Sequence, residues 1–197
     1  MIRIISLELV NSFKENLINC VGVIENGGLI LYPTETVWAI GCDATNPNAV
    51  DKILKLKELT SPEGLVSLVA NQFMLEQQID FIPAVVYDII DIAEKPTTVV
   101  LDNPKTIAKN VRNRDGSAAI RVTSDKFCQY AIGKFRKPII ATIANLENQS
   151  YPKSFQEIDS KILKGVDYVV NLQTEMSQKL SSIIKIGNDN MVRIIRK

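Results

Sequence analysis

Two basic side chains of this sequence fall where the residues around them are apolar. Lys57 follows Val50 by seven residues, which returns to nearly the same angle of a helix, so Lys57 continues a buried stripe. It either extends past the helix end to reach water or points into a cleft. Arg121 lies inside a short apolar run and needs an anionic partner, either an internal Asp or Glu or a ligand. We predict that both charged groups point into one cavity, with Thr34 or Thr36 on its wall.

Hydroxyl and amide side chains follow two of the apolar runs. Thr34 and Thr36 come just after the first run, and Asn145 follows Thr142 at the end of another. Hydroxyls and free backbone N–H groups at the end of a strand can bind phosphate or carboxylate oxygens. The same residue types are also common in ordinary turns. Their positions therefore mark a candidate ligand site without identifying its ligand.

The absence of histidine narrows the chemistry more than any other feature of the composition. It excludes a Ser-His-Asp or Cys-His catalytic group, a histidine general base and a His-liganded zinc site. The three cysteines, Cys20, Cys42 and Cys128, are widely spaced and form no Cys-x-x-Cys pair. We therefore expect no protein-held metal site, and three unpaired, mostly buried thiols in a reducing, cytoplasmic compartment.

Length and composition are typical of one globular domain. The chain has 197 residues, of which 46% are hydrophobic and 23% charged, so it can bury a core without disulfides or metals. The net charge of +1 creates no general basic field that would attract nucleic acid. Apolar runs reach about six residues, against the roughly 20 that a membrane helix needs. We therefore expect a single domain over residues 1–197 that does not enter a membrane.

Short strand-like runs alternate with helical patterns along the chain, which predicts an α/β fold with helices covering a twisted sheet. Asn46 and Pro47 open the first of these helices, and Ser154 and Glu157 form a capping box before the last. Two final strands separated by a four-residue turn indicate a hairpin, so the sheet should mix parallel and antiparallel pairs. Further helices are expected from Pro83 and over 124–136, and strands over 29–32, 65–70, 98–101, 118–122, 139–143, 166–171, 182–186 and 191–195.

Six blocks of the sequence, in order, resemble the YrdC-like threonylcarbamoyl-AMP synthases. The first block, from Gly27 to Thr45, contains Tyr-Pro-Thr-Glu-Thr and is the most specific. The fourth block, Ala-Ile-Arg-Val at 119–122, is similar to the arginine strand of that family. The blocks extend the resemblance over about residues 20–197, and they are 27–45, 52–57, 96–101, 119–122, 141–145 and 181–184.

The resemblance implies a mixed α/β twist fold with a central basic cavity, and an enzyme of the nucleotidyltransferase class. Members of the family make threonylcarbamoyl-adenylate from ATP, bicarbonate and L-threonine with release of pyrophosphate, and Mg2+ accompanies the nucleotide. The adenylate then supplies the threonylcarbamoyladenosine modification of tRNA. Carried onto this sequence, the resemblance implies catalytic roles for Lys57 and Arg121, and substrate contacts from Thr34, Thr36, Thr98, Thr142, Asn145, Ser181 and Ser182.

Three positions depart from the family pattern: Leu59 replaces the arginine of Lys-x-Arg, Ile143 the serine of Ser-x-Asn, and Ala39 a glycine. Leu59 and Ile143 predict an apolar wall beside the nucleotide, which would weaken ATP binding because phosphate oxygens find no partners there. An alternative hypothesis is therefore a catalytically impaired paralogue that binds nucleotide or double-stranded RNA. Its basic candidates are Lys105, Lys109, Arg112 and Arg114, together with Lys134, Arg136 and Lys137.

Overall fold

The computed structural model describes residues 2–172 and 176–197, with side chains from residue 12 onward. Nine strands are found in this part of the chain, and each is at most five residues long. In chain order they are β1 (Ile30–Pro33), β2 (Trp38–Gly41), β3 (Val66–Val69), β4 (Thr97–Leu101), β5 (Ala118–Val122), β6 (Ile139–Ile143), β7 (Tyr168–Val169), β8 (Ser182–Ile186) and β9 (Val192–Arg196).

The strands pair into one mixed sheet, as the sequence predicts. Their order across the sheet is β7-β1-β2-β6-β3-β5-β4-β8-β9. β1 and β7, β3 and β5, and β4 and β8 pair in parallel, whereas the remaining neighbours are antiparallel. The expected hairpin is formed by β8 and β9. β6 lies inside the sheet, which agrees with its apolar character on both faces.

Helices cover both faces of the sheet. Within the described residues they are α1 (Ile2–Glu25), α2 (Pro47–Lys57), α3 (Gln72–Gln78), α4 (Val85–Ile92), α5 (Lys126–Phe135) and α6 (Ser160–Gly165). α1 and α5 pack on one face, where Ile30 and Tyr32 of β1 point, and α2, α3, α4 and α6 contribute to the core on the other, where Leu31 points. Alternate residues of a strand thus belong to different cores, as the pleat of a strand requires.

Two helix signals in the sequence, the cap of α2 and the apolar spacing of α5, agree with the structure. The Asn46 side chain accepts hydrogen bonds from the backbone N–H of Asn48 and Ala49, with Pro47 in the first turn of α2. In α5 the predicted inward face is buried, and its residues are Phe127, Cys128, Ala131, Ile132 and Phe135. Both helices are therefore specified locally, by caps and by apolar spacing.

The capping box at Ser154 does not open an α-helix, and that prediction is wrong. Glu157 accepts from the backbone N–H of Lys153 and from the Ser154 hydroxyl, but only a single 3-10 turn follows, over Phe155–Glu157. The helix begins later, because Asp159 accepts from the backbone N–H of Lys161 and so caps α6 at Ser160. A capping pattern can satisfy a turn as well as a helix.

The long helix α1 was not predicted, although an apolar repeat indicates it. Leu17, Val21 and Ile24 recur at spacings of four and three residues, and they pack in the core that α1 shares with α5. Phe13 contacts the ring of Phe127 edge-on, with centroids 5.6 Å apart, which joins the two helices. Among the described helices, α1 included, none combines the length and apolar character needed to span a membrane.

The three cysteines are free thiols and all are buried, as expected from their apolar surroundings. Burial raises the pKa of Cys20 to about 12, and it also raises the pKa of Cys42 and Cys128. A thiol that stays protonated is a poor nucleophile, so these residues act as small apolar groups in the core.

Two glycines provide a matched test of the packing between β2 and β6. A Cβ on Gly41 would lie 2.5 Å from the carbonyl oxygen of Ile140, whereas a Cβ on Gly133 in α5 would meet nothing within 4 Å. We predict that Gly41→Ala lowers the free energy of unfolding by about 1–3 kcal/mol, because the strands must move apart. Gly133→Ala should raise it by up to about 1 kcal/mol through helix propensity. Urea unfolding measures both, and equal effects would contradict this packing.

Candidate functional site

A cavity of about 90 Å³ opens beside the sheet, and we call it the narrow cavity. Ala39 of β2 and Ala141 of β6 lie both in its wall and in the core on the α1 and α5 side, so it is on that face. Its polar lining residues are Thr34, Thr36, Arg121, Thr142, Ser181 and Arg196. They come from five separate segments of the chain, so tertiary structure rather than local sequence assembles the site.

Arg121 is buried in β5 and forms an ion pair with Glu35. Its Nε lies 3.0 Å from Glu35 Oε1, and the two side chains are 6% and 12% exposed. The N–H is not directed at that oxygen, so the contact is an ion pair without a hydrogen bond. Glu35 Oε2 accepts from the Thr123 hydroxyl at 3.1 Å. Arg121 therefore has the internal carboxylate partner that its burial demands, and it also lines the cavity.

A second guanidinium, that of Arg196 in β9, lines the same cavity. It donates from Nε to the backbone oxygen of Ser181 at 2.9 Å and from Nη2 to the Ser181 hydroxyl at 3.3 Å. Burial, and after it the positive charge of Arg121, lowers the pKa of Arg196, although an arginine stays charged at neutral pH. Sequence reasoning missed Arg196. The signal was an arginine at the end of an apolar run, similar to the one that singled out Arg121.

The hydroxyls of Thr34 and Thr36 have different functions in the turn after β1. Thr34 Oγ1 accepts from the backbone N–H of Thr36 and Val37 and donates to the carbonyl oxygen of Val37 at 2.8 Å. Because a hydroxyl has one proton, Thr36 must be the donor in the 2.9 Å contact between the two hydroxyls. Thr34 therefore shapes the turn, whereas Thr36 keeps lone pairs that can accept from a ligand such as an amine.

Ser181 connects the narrow cavity to the neighbouring strand. Its Oγ lies 2.9 Å from the Thr98 hydroxyl, and Thr98 is fully buried and does not line the cavity. Thr98 thus supports Ser181 instead of facing a ligand. Ser182, the first residue of β8, is also absent from the cavity wall, whereas Thr142 at the end of β6 is part of it.

Lys57 does not reach the narrow cavity, so the prediction that it shares a cavity with Arg121 is wrong. α2 packs on the opposite face of the sheet, and Lys57 Nζ donates to the backbone oxygen and Oδ1 of Asn145 at 2.7 and 3.1 Å and to the backbone oxygen of Ile143. These three oxygens accept hydrogen bonds from the ammonium and so take the place that a ligand's oxygens would have. Burial lowers the pKa of Lys57 to about 8. Lys57 and Asn145 together hold the end of β6.

Ile143 and Leu59 lie in different places, so the expected apolar wall is only partly present. The Ile143 side chain lines the narrow cavity. Leu59 instead packs against the core on the α2 side. Its backbone N–H donates to the carbonyl oxygen of Leu54 at the C-terminal end of α2, which turns the chain toward that core. The prediction that these two residues form one wall is therefore wrong for Leu59.

A larger cavity of about 470 Å³ adjoins the narrow one, and we call it the wide cavity. The two share Gly64, Val66 and Ile183 in their walls, so they form one continuous depression. Asp115 and Lys185 pair at the wall of the wide cavity. This contact, with hydrogen bonds from Ser117, holds the pKa of Asp115 well below its usual range. Arg114 adds a further cation to the lining.

Sequence comparison relates this chain to a described family and to curated enzymes. The model of the Sua5/YciO/YrdC family, described as telomere recombination, matches residues 22–197. The chain is 30% identical over 184 residues to a threonylcarbamoyl-AMP synthase of Photobacterium profundum, covering 91% of this chain and 98% of that protein. It is 32% identical over 149 residues to a threonylcarbamoyl-AMP synthase of Hahella chejuensis, covering 75% and 81% of the two chains.

Solved structures share the fold. E. coli YciO superposes with a TM-score of 0.80 at 20% identity, covering 92% of this chain and 88% of that one. P. abyssi Sua5 complexed with L-threonine has a TM-score of 0.79 at 22% identity, covering 88% of this chain. The match spans about half, 51%, of the P. abyssi chain. The α/β twist fold expected from the sequence is therefore confirmed.

The buried ammonium of Lys57 makes stability depend on pH. Between pH 8 and its ordinary pKa of 10.5, the unfolded chain keeps the Lys57 proton while the native protein loses it, so stability rises with pH. We predict that the free energy of unfolding of the wild type rises across this range relative to that of Lys57→Met, by up to about 3 kcal/mol. Lys55→Met, an exposed change in the same helix, is the control. A constant difference from pH 7 to 10 would contradict the burial of the charge.

Proposed function

The chain belongs to the Sua5/YciO/YrdC family, and we propose that it is a threonylcarbamoyl-AMP synthase. It would use ATP, bicarbonate and L-threonine and release pyrophosphate. The observation that carries the proposal is the pair of guanidiniums, Arg121 and Arg196, in a narrow cavity that opens into a wide one. Two curated relatives that are named threonylcarbamoyl-AMP synthase, matched over 98% and 81% of their length, support it.

The chemistry suits a chain without histidine. The amine of L-threonine takes up the carbon of bicarbonate as a carbamate, with loss of water. A carbamate oxygen then forms a bond to the α-phosphorus of ATP, and the bond to the pyrophosphate oxygen breaks. Positioning and charge neutralisation provide most of the rate in such phosphoryl and nucleotidyl transfers. The fixed charges of Arg121 and Arg196 are suited to that task.

The narrow cavity is assigned to L-threonine. Its volume of about 90 Å³ suits a small polar molecule and not a nucleotide. The Nε of Arg121 faces Glu35, which leaves the terminal nitrogens of that guanidinium for a carboxylate. Thr36 offers lone pairs to the amine, and Ser181 offers a further hydroxyl. Arg121 is thus proposed as the catalytic residue that holds the amino acid.

The wide cavity is assigned to the nucleotide. Its volume of about 470 Å³ is large enough for a mononucleotide, and Arg114 and Lys185 provide donors for phosphate or ribose oxygens. Arg196 lies in the narrow cavity and would face the α-phosphate where the two cavities meet. Lys57 is proposed to act indirectly, because it holds the end of β6 beside Ile143.

Mg2+ in this proposal arrives on the phosphate oxygens of ATP and neutralises part of their charge. The carboxylates of Glu35 and Asp115 are already paired with Arg121 and Lys185. Glu63 is the one further carboxylate in the described walls of the two cavities, and a single carboxylate fits an ion carried by the nucleotide and not one held by the protein.

The adenylate product would serve tRNA modification in the cytoplasm. The alternative, a paralogue that binds only nucleotide or double-stranded RNA, has less support. Some of its basic candidates already have partners: Lys105 lies 3.8 Å from Asp80, and Lys137 lies 3.0 Å from Asp43. Their charge is therefore partly compensated.

Pyrophosphate release tests the proposed reaction directly. We expect release only when ATP, bicarbonate and L-threonine are all present. Arg121→Met should lower the rate by about 10²–10³-fold, because the guanidinium that positions the carboxylate of the amino acid is lost. Arg193→Met, an exposed change on β9, is the matched control and should retain the rate. Release without L-threonine, or an unaffected Arg121→Met variant, would contradict the assignment.

Ile143 on the cavity wall predicts a gain in ATP affinity when a hydroxyl replaces it. We expect Ile143→Ser to strengthen ATP binding by up to about tenfold, because Ile143 lines the narrow cavity together with Arg196, where a hydroxyl would donate to the α-phosphate. Leu59→Ser is the control, since Leu59 packs in the core and should affect stability without affecting ATP affinity. Calorimetry measures both. An unchanged affinity for Ile143→Ser would show that the α-phosphate does not reach the wall of the narrow cavity at Ile143 and Arg196.

A further inference from the structure

The Arg121–Glu35 pair differs from the other ion pairs in the described part of the chain. Each of the other four has at least one side chain that is more than half exposed. Arg121 and Glu35 are 6% and 12% exposed, so water screens their charges little. A change of charge at either residue must therefore act strongly on whatever occupies the narrow cavity.

Glu35 is fixed in place by contacts at three atoms. Its Oε1 faces Arg121, its Oε2 accepts from the Thr123 hydroxyl at 3.1 Å, and its backbone oxygen accepts from the N–H of Ser177 at 3.0 Å. Thr123 in turn accepts from the backbone N–H of Asp125, the cap of α5. The carboxylate therefore stays beside the cavity and does not leave when a ligand arrives.

The charges in and beside the narrow cavity leave a net charge of +1. Among the described lining residues, Arg121 and Arg196 are the charged ones, and Glu35 compensates one of them. A zwitterionic amino acid presents one carboxylate and carries its own compensating ammonium. At neutral pH inorganic phosphate carries between one and two negative charges and pyrophosphate more than two, without a compensating ammonium, so both would need a more positive cavity.

We propose that Glu35 determines specificity: its charge keeps the narrow cavity selective for an amino acid and closed to phosphate and pyrophosphate. This inference rests on the proposed function, in which L-threonine occupies the narrow cavity. Its consequence for the reaction is that the released pyrophosphate would not compete for the amino-acid site. Without Glu35 the two guanidiniums would form a strong site for a multivalent anion.

Glu35→Gln tests the proposal, because it removes the charge and keeps the size of the side chain. Calorimetry would measure the dissociation constants of L-threonine and inorganic phosphate for the wild type and the variant. We expect the ratio of the two constants to shift toward phosphate by at least about tenfold. Glu94→Gln makes the same charge change on the exposed surface and should leave the ratio unchanged. An unchanged ratio in Glu35→Gln would overturn the proposal.

Arg196→Met provides a second and opposite test. It lowers the charge of the narrow cavity by one, so the preference for L-threonine over phosphate should increase. This variant tests the proposal even if Glu35→Gln does not fold. The double variant Glu35→Gln/Arg196→Met should return to the wild-type ratio, which a merely structural role of Glu35 would not produce. A wild type that does not bind L-threonine would refute the proposed function, whereas normal L-threonine binding with unmoved ratios refutes only this inference.

Discussion

A guanidinium within a sheet needs a carboxylate beside it, because an unpaired buried charge destabilises a protein by several kcal/mol, about 3–5 in measured cases. Arg121 obtains that carboxylate from Glu35, and the segment after β1 must therefore fold over β5. The same segment accepts backbone hydrogen bonds at 3.0 Å from Ser177 to Glu35 and from Gln178 to Thr36. These contacts hold the segment that leads to Ser181. One ion pair thus brings the walls of the narrow cavity together.

The Nε–H of Arg121 lies close to the carboxylate of Glu35 but does not point at its oxygen, which bears on how the guanidinium meets a substrate. Both Nε and Oε1 lack a hydrogen-bond partner although they lie 3.0 Å apart. Hydrogen bonds of an active site are often imperfect without substrate and tighten in the complex. A site built on fixed charges in this way can promote adenylate formation without a histidine base.

The sequence predicts those features that local pattern controls. The Asn46 cap of α2 and the inward face of α5 are specified by neighbouring residues, and the alternation of strand and helix patterns predicts the mixed sheet; all three agree with the structure. The site was predicted less well, because its contacts join distant segments. Lys57 continues a buried stripe as expected, but only the fold shows that it binds the end of β6. Arg196 has a local signal, an arginine at the end of an apolar run, but only the fold shows that Arg196 and Glu35 lie near Arg121. Ser154 shows the opposite error, a local signal that a competing cap at Asp159 overrides.

A crystal structure of the complex with L-threonine would test directly whether Arg121, paired with Glu35, holds the amino acid in the narrow cavity. We expect the amino acid to occupy the narrow cavity, with its carboxylate oxygens about 3 Å from the terminal nitrogens of Arg121. Glu35 should keep its contact with the Nε of the same guanidinium. Two results would contradict this assignment: L-threonine bound in the wide cavity, or an Arg121 that leaves Glu35 in order to reach the amino acid.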